Sequence, residues 1–345
     1  MAQAPELDLA ALFEPHAGRL RDLCVTVAWL RGEDGAMGAL GEAPEGVDGA
    51  DLMYEIGSVT KVFTSLLLAE LVVEGRLSLD DPIGPLLPPD VLGDSRLGRE
   101  VTLRHLATHT SGLPRLPGNL RVLPWTLANP YARYTTANLY AFLRSFQPKE
   151  TPPAEAVYSN LGVGLLGHLL ARTLDTTYEE AVRERVCGPM GLRDTTIGLT
   201  DEQRRRLVPG HSASGQPAGL WDLPSLAGAG GLRSTARDMA RFLSACLGRL
   251  ATPLGPALAR TLEPQASIGE GRSAGLGWVI EERGDTQWIW HNGATGGYSA
   301  YVGFCAPAGV AVCVLANHTV PATGGAQAVA DAMGRALAER LLPPP

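Results

Sequence analysis

The chain has 345 residues, 45% of them hydrophobic, and its 29 Lys and Arg against 36 Asp and Glu give a formal net charge of −7. A chain of this length and composition can bury a substantial core, in one large domain or two smaller ones. The acidic balance, without any basic block, argues against nucleic acid as a partner. The apolar runs fall short of the ~20 residues that cross a bilayer, so no membrane span is predicted.

The first residues are acidic and lack the basic and apolar regions of a signal peptide, so the sequence predicts a cytoplasmic protein. Its five cysteines are widely spaced, with no Cys-x-x-Cys pair and no histidine at zinc-site distance. We therefore expect the cysteines to be buried, reduced packing residues, and we expect no metal.

The two ends of the chain are predicted to build a sheet. A helix over Leu7–Leu20 precedes a strand over Leu23–Leu30, and the glycine-containing turn at Arg31–Gly35 predicts a hairpin. Near the other end, Gly and Asp separate several apolar segments, which is typical of an antiparallel meander. These segments are Leu276–Ile280, Gln287–His291, Gly297–Phe304 and Val310–Ala316. A last helix, predicted over Gly325–Leu342, is expected to lie against that sheet.

Between the two ends, the spacing of apolar residues is mainly helical. The predicted helices are Lys61–Glu74, Leu103–Thr108, Thr135–Phe146, Leu161–Arg172, Tyr178–Val186 and Ala236–Leu247. The sequence therefore predicts a mixed α/β (α+β) fold, an antiparallel sheet flanked by helices, built from residues 1–60 and 230–345. A mainly helical domain over residues 61–229 is inserted into it, and the site is expected at the interface of the two lobes.

A candidate nucleophile stands just before the most apolar helix of the chain. Residues three apart share a helix face, so the Lys61 amine is predicted beside the Ser58 hydroxyl, where a neutral amine can take its proton. The helix N-terminus favours the negative charge that develops there. Taken alone, however, the pattern S-x-x-K is also typical of many solvated helix faces.

Two further motifs follow in order. Tyr158–Asn160 reads Y-S-N directly before an apolar helix, and His291–Ala294 reads H-N-G-A on a strand rich in tryptophan. With these, the chain resembles the serine β-lactamases and penicillin-binding proteins, which carry S-x-x-K, then Y-x-N or S-x-N, then K-T-G or H-x-G. The tyrosine makes it similar to class C β-lactamases, D-alanyl-D-alanine carboxypeptidases and family VIII carboxylesterases. The resemblance covers about Leu12–Ala316 and includes the segment Leu106–Leu113.

The resemblance implies a β-lactamase/transpeptidase-like fold and a serine hydrolase that forms an acyl-enzyme without a cofactor. Ser58 would be the nucleophile, Lys61 its partner, and Tyr158 the general base that later protonates the leaving group. Asn160 would orient the substrate and the Lys61 amine. The backbone N–H groups of Ser58 and Ala294 would form the oxyanion hole. A tyrosine can act as a base if nearby cations stabilise its phenolate, and Lys61 is the expected cation.

The third motif departs from the β-lactamase pattern. His291 and Asn292 take the places of the lysine and threonine that bind the carboxylate of the antibiotic, and Gly293 and Ala294 complete the expected substrate-binding strand. Imidazole is largely neutral at pH 7 and offers less charge to an anion than an ammonium group does. The substitution therefore argues against potent β-lactamase activity while leaving acyl transfer intact.

The sequence leaves three hypotheses open. In the first, the chain hydrolyses a β-lactam, an ester or a D-amino-acid peptide, all small molecules, through a Ser58 acyl-enzyme. In the second, it is a family VIII-type carboxylesterase, or it transfers the acyl group to an acceptor other than water. In the third, it is a non-catalytic relative that only binds such ligands.

Two other patterns are set aside. Gly162–Gly167 matches G-x-G-x-x-G, but it follows the Y-S-N motif where a dinucleotide site needs a strand, so we expect a helix packed closely through its glycines. His105 and His109 have the spacing of a metal-binding pair on a helix. They lack the glutamate of H-E-x-x-H and an evident third ligand.

Overall fold

The computed structural model describes residues 8–342 except 19, 21, 94, 122–127, 154 and 320–327. Its strands come mainly from the two ends of the chain. They are β1 Cys24–Arg31, β2 Asp34–Gly41, β3 Tyr54–Glu55, β4 Gly210–His211, β5 Pro217–Ala218, β6 Arg233–Ser234, β7 Ala266–Gly269, β8 Arg272–Ala274, β9 Val279–Arg283, β10 Thr286–Ala294, β11 Ser299–Cys305 and β12 Val310–Ala316.

Eight of these strands form one antiparallel sheet in the order β2-β1-β12-β11-β10-β9-β8-β7. The first and last strands of the chain are neighbours in it, with Val25 opposite Ala316. On the other side of β12, Ala294 at the end of β10 lies opposite Ser299 of β11. The strand that carries the third motif is therefore held inside the sheet, where its backbone is fixed by its neighbours.

Helices cover both faces of this sheet and fill the region between its two sequence segments. They are α1 Leu9–Ala17, α2 Thr60–Val73, α3 Pro89–Leu92, α4 Arg96–Glu100, α5 Leu103–Ala107, α6 Thr136–Ser145, α7 Asn160–Thr173, α8 Tyr178–Val182, α9 Gly188–Met190, α10 Asp201–Arg205, α11 Ala236–Cys246, α12 Gly255–Thr261 and α13 Val329–Leu341.

The alternation of side chains along β10 divides the core into two layers. Trp288 and Trp290 point to the face covered by α13, where they pack with Tyr301 and Met333. Ile289, between them, belongs to the larger core on the other face, which also contains α2 and α11. Because successive residues of a strand face opposite sides, His291 shares its face with Ile289 and Asn292 shares its face with the tryptophans.

The predicted hairpin, the four later strands and the named helices are confirmed to within a few residues. The helix predicted over Tyr178–Val186 is α-helical to Val182 and continues as a π-helical turn over Arg183–Cys187. Leu7 and residues 325–327, which were included in the predicted first and last helices, lie outside the described residues. The five cysteines are free and buried, as expected.

Strands β7 and β8 were not predicted. Their seven residues are mostly exposed or half-buried and contain Gly, Ser and Arg without an apolar alternation, so no sequence pattern indicates them. The sheet draws its strands from residues 24–41 and 266–316, while the proposed division at residues 60 and 230 stays a prediction. None of the described helices is long and apolar enough to cross a membrane.

Candidate active site

The Ser58 hydroxyl is placed by a tight backbone turn that runs into α2. Gly57–Val59 form a 3₁₀ turn, and Gly57 has a φ of 49°, in the left-handed region that favours glycine. A Cβ on Gly57 would stand 2.7 Å from the backbone nitrogen of Ala294, so this position has no room for a side chain. The glycine thereby lets the start of α2 lie directly against the end of β10.

The Lys61 side chain is completely buried, on a helix that is buried almost all round. Its Nζ atom lies 3.0 Å from Ser58 Oγ and donates a hydrogen bond of 2.6 Å to the carbonyl oxygen of Ala229. Burial away from water, reinforced by the positive charge of Arg115, holds the pKa of Lys61 well below its usual 10.5. A neutral amine in this position can accept the serine proton.

The glycines of α7 allow the carbonyl group of Ala229, which accepts the hydrogen bond from Lys61, to lie close to the site. Residues 227–229 form a 3₁₀ turn packed on this helix, and a Cβ on Gly167 would stand 2.9 Å from the Cα atom of Gly228. A Cβ on Gly164 would likewise clash with the side chain of Leu226. The prediction that the G-x-G-x-x-G run is a closely packed helix is confirmed, and the close approach fixes one hydrogen bond of the Lys61 amine.

Tyr158 lies close to both Ser58 and Lys61. The Lys61 Nζ atom is 4.8 Å from the centre of its ring, and the Ser58 hydroxyl is near enough to its phenol to lower its pKa. Burial is the larger effect and raises the pKa of Tyr158 to about 12, although the Ser58 hydroxyl and the charge of Arg115 act in the opposite direction. The phenol is therefore protonated at neutral pH and can donate a proton to a leaving group.

Asn160 is the first residue of α7 and is half-buried. Its Nδ2 atom donates to the hydroxyl of Tyr131 at 3.3 Å. Its Oδ1 atom is buried and has no hydrogen-bond partner among the described residues. A buried amide oxygen without a partner costs free energy, and a ligand N–H group placed there would recover it.

His109 holds the tyrosine motif through its backbone and its ring. Its carbonyl oxygen accepts a hydrogen bond from the N–H group of Val157, and its Nδ1 atom accepts one from the N–H group of Ser159. The imidazole also lies against the Tyr158 ring, with 4.6 Å between the ring centres. Burial, with the nearby charges of Lys61, His291 and Arg115, lowers the pKa of His109 to about 3, so the ring is neutral.

The third motif brings His291 to the site and carries Asn292 away from it. His291 is buried, with its ring centre 6.4 Å from that of Tyr158, and burial with the charge of Lys61 lowers its pKa to about 3. Its Nδ1 atom donates to the carbonyl oxygen of Asn292 at 2.6 Å, which leaves Nε2 as an acceptor. The Asn292 side chain instead donates to Asp331 on α13 at 3.2 Å.

A substrate contact was predicted for Asn292, but its side chain lies on the opposite face of the sheet from Ser58. The physical reason is the two-residue period of the strand, which allows only one of His291 and Asn292 to face the nucleophile. Gly293 comes next and lies against the nucleophile turn, where a Cβ would stand 2.9 Å from the Ser58 nitrogen. Ala294 then lies beside Gly57, so the two predicted oxyanion-hole residues are brought together.

An apolar cavity of about 150 Å³ opens beside Tyr158 and His291. Its walls include Ala156, Ala274 and the indole of Trp278, which is held in place by Phe304 in an edge-to-face contact of 5.4 Å. An apolar cavity of this size in another protein takes up a benzene ring. The site can therefore receive a group about as large as a phenyl ring next to the reacting bond.

His105 does not join His109 in a metal site. It caps α5, where its Nδ1 atom accepts a hydrogen bond from the N–H group of Thr102. Within the ranges that the structure describes, no group of His, Cys, Asp and Glu could hold a metal ion.

Reasoning from the sequence missed two residues of the site. One is Arg115, and the other is His109 in its role as a support of Tyr158. Both belong to the stretch that leads away from α5, and His109 lies in the segment Leu106–Leu113 whose resemblance was noted without a role. A positive φ of 63° at His109 is the structural feature that sets it apart, and no sequence pattern indicates such a conformation for histidine.

A serine hydroxyl beside a buried lysine amine and a tyrosine phenol, in a fold of an antiparallel sheet flanked by helices, defines a serine hydrolase. The Beta-lactamase family matches residues 34–334 of the chain. A beta-lactamase of Pseudomonas fluorescens is 27% identical over 302 residues, which are 78% of this chain and 80% of that protein. The chain belongs to the beta-lactamase family, whose members act on small-molecule substrates.

Other relatives extend the likeness to peptidases and to solved structures. The D-alanyl-D-alanine-carboxypeptidase/endopeptidase AmpH of Escherichia coli is 30% identical over 267 residues, which are 73% of this chain and 67% of that protein. The class C beta lactamase of Rhodobacter sphaeroides superposes with a TM-score of 0.79 at 25% identity, covering 96% of this chain and 97% of the other. The predicted family and fold are thus confirmed.

Proposed function

We propose that Ser58 forms the acyl-enzyme and that the bond it attacks is the amide of a β-lactam or of a D-amino-acid peptide. The observation that carries this proposal is the meeting of two proton-handling groups at one hydroxyl. The Lys61 amine lies 3.0 Å from Ser58 Oγ, and the phenol of Tyr158 is close enough to the same serine for that hydroxyl to lower its pKa.

The proposed reaction begins with the neutral Lys61 amine, which takes the proton of Ser58 as its oxygen attacks the carbonyl carbon. The negative charge on the tetrahedral intermediate is stabilised by the backbone N–H groups of Ser58 and Ala294. Tyr158 then donates its phenolic proton to the leaving nitrogen as the carbon–nitrogen bond breaks, and the Lys61 ammonium returns a proton to the phenolate. Water attacks the acyl-enzyme in the second half, with the same groups acting in reverse.

This order of proton transfers differs from the one expected from the sequence, in which Tyr158 is the base. With a pKa of about 12, only about one Tyr158 in 10⁵ would be a phenolate at pH 7. The cation expected to stabilise that phenolate, Lys61, itself has a lowered pKa. We therefore assign the first proton transfer to Lys61 and keep Tyr158 as the donor to the leaving group.

The substrate class is supported by two kinds of relatives, beta-lactamases and a D-alanyl-D-alanine carboxypeptidase. Asn160 would bind the substrate amide N–H through its unpartnered Oδ1 atom. His291, neutral with a pKa of about 3, supplies no positive charge for a carboxylate. We therefore propose slow turnover of β-lactams and a larger share of activity on D-amino-acid peptides.

The test is intact-protein mass spectrometry after mixing with a chromogenic cephalosporin, together with turnover assays on the cephalosporin, a D-alanyl-D-alanine peptide and p-nitrophenyl butyrate. We expect a covalent adduct on Ser58 that the Ser58→Ala variant lacks, and release of D-alanine. Full activity in Ser58→Ala would disprove the mechanism. Turnover of the butyrate alone would reassign the chain to the carboxylesterases, and no turnover of all three would favour a binding protein.

A further inference from the structure

Glu55 and Arg233 form a buried ion pair close to the nucleophile in the chain, since Glu55 precedes the turn that carries Ser58. The Glu55 Oε1 atom lies 3.2 Å from Arg233 Nη2, and the two side chains are only 3% and 5% exposed. The residues are also opposite each other in the ribbon formed by β3 and β6. Neither side chain takes part in the proposed proton transfers, so the reason for burying two charges here lies elsewhere.

The ion pair binds the backbone of Trp221 through both of its charges. The Trp221 N–H group donates to Glu55 Oε1 at 2.8 Å, and the Trp221 carbonyl oxygen accepts from Arg233 Nη2 at 2.9 Å. The indole of Trp221 in turn lies against Gly296, where a Cβ would stand 2.5 Å from the indole nitrogen. The ion pair is thereby connected to the turn between β10 and β11, which directly follows Ala294.

Thr295 brings the same turn close to the carboxylate itself. Burial raises the pKa of Glu55, and the hydroxyl of Thr295 is near enough to act in the opposite direction. Thr295 follows Ala294, and its N–H group donates to the carbonyl oxygen of Tyr298 at 3.0 Å within the turn. Glu55 therefore lies between the segment that leads to Ser58 and the turn that follows Ala294.

The ion pair is poorly suited to stabilising the fold by itself. Glu55 Oε2 and Arg233 Nε are buried and have no hydrogen-bond partner among the described residues. The attraction between buried charges offsets their loss of water only when their remaining polar atoms are also hydrogen-bonded. The indole nitrogen of Trp221 and the hydroxyl of Thr295 are buried without a described partner in the same way. The geometry that the pair imposes therefore explains it better than its contribution to the free energy of unfolding.

We propose that Glu55 is a positioning residue for the oxyanion hole, and that its bonds to Arg233 and Trp221 fix the backbone N–H groups of Ser58 and Ala294 relative to each other. The inference rests on the proposed function, in which these two N–H groups stabilise the oxyanion. They come from segments far apart in the chain, so a contact between the segments must set their separation. Donors stabilise a developing charge only when they are aimed at it in advance, and a displacement of about 1 Å is costly.

Phenylboronic acid tests this role, because its tetrahedral adduct places an oxygen where the oxyanion would lie. The boron–oxygen bond forms with an electron pair of Ser58 Oγ, the serine proton goes to Lys61, and no bond to boron breaks. Glu55→Gln keeps the shape of the side chain without its charge, and Glu55→Asp keeps the charge on a shorter side chain. The matched control is Glu70→Gln, near the other end of α2, which removes the charge from a half-buried pair with Arg185. Calorimetry gives the dissociation constants, and turnover assays give kcat and KM.

We expect Glu55→Gln to weaken phenylboronic acid binding about tenfold and to lower kcat at least as much, with KM nearly unchanged. Glu55→Asp should lose less, and Glu70→Gln should change neither quantity. A loss confined to the melting temperature, with the affinity for the boronic acid unchanged, would overturn the proposal. If Glu55→Gln does not fold, an unchanged kcat in Glu55→Asp would overturn it equally. Boronic acid binding that persists in Ser58→Ala, or is absent from the parent, would instead disprove the proposed function and this inference with it.

Discussion

The ring of His109 and the backbone of Ser159 are joined by a hydrogen bond of 3.1 Å, in which the Ser159 N–H group donates to Nδ1. Together with the hydrogen bond from Val157 to the His109 carbonyl oxygen, this contact spans Tyr158 on both sides. These two hydrogen bonds fix the backbone at Val157 and Ser159, and thereby the position of the Tyr158 phenol near Ser58. We therefore infer that His109 is a positioning residue.

Two substitutions at His109 separate the effect of its ring contact with Tyr158 from the effect of its acceptor atom for Ser159. His109→Phe keeps an aromatic ring against Tyr158 but removes the acceptor for Ser159, so we expect kcat to fall about 10- to 100-fold with little change in KM. His109→Asn keeps an acceptor atom and tolerates the positive φ, so it should retain more activity than the phenylalanine variant. The reverse order, or losses confined to the melting temperature, would assign His109 a structural role alone.

The pH dependence of kcat/KM reports which group removes the serine proton. Since the pKa of Lys61 is lowered, kcat/KM should rise with pH through a value below 10.5 and then become constant. Tyr158 keeps its proton up to a pH of about 12, so no decline from its ionisation is expected below about pH 11. His109 and His291, with pKa values of about 3, add no step between pH 5 and 8. A rate that keeps rising through pH 11 would identify Tyr158 as the base.

Replacing Lys61 should stabilise the protein while abolishing activity. Between the lowered pKa of Lys61 in the folded protein and its unfolded pKa of roughly 10.4, the unfolded chain holds a proton that buried Lys61 gives up on folding, and this costs stability. Lys61→Met removes the cost, although it leaves the carbonyl oxygen of Ala229 without its donor, so we expect a net gain of about 1 kcal/mol at pH 7. The gain should shrink as the pH approaches 10, because the unfolded lysine then loses its proton too.

Urea denaturation at pH 7 and pH 10 measures this difference. The matched control is Lys149→Met, at an exposed position, which should show no such dependence on pH. A Lys61→Met variant that is less stable than the parent at both pH values would mean that the hydrogen bond to Ala229 outweighs the cost of burying the amine.

The apolar cavity should set the size of the group accepted next to Tyr158. Ala156→Leu adds three carbon atoms to its wall, so kcat/KM for substrates with a phenyl-sized group should fall about tenfold, while those with a methyl group change little. Ala213→Leu, at an exposed position in a turn, serves as the control for a surface leucine. An equal loss for large and small substrates would show that the leucine displaces Tyr158 without filling a binding pocket.

Much of the architecture could be predicted because it depends on local patterns. The apolar runs of β11 and β12 are buried throughout, and the apolar spacing of α2 and α7 is helical, so their lengths and types follow from periodicity. The pairing of β1 with β12 could also be predicted, since the two ends of the chain were expected to share one sheet. Strands β7 and β8 could not be predicted, because they are short and polar, and pairing with β9 decides their conformation.

The candidate nucleophile and its partners were identified by residue type and order along the chain, and three-residue helical spacing correctly placed Lys61 at Ser58. What the sequence determined by itself was therefore the family, the main elements and the residues that meet. Tertiary structure decided their protonation, since burial lowers the pKa of Lys61 and raises that of Tyr158, and burial depends on the whole fold. It also decided that Asn292 faces away and that Arg115 faces the site, because side-chain direction depends on contacts between residues far apart in the chain.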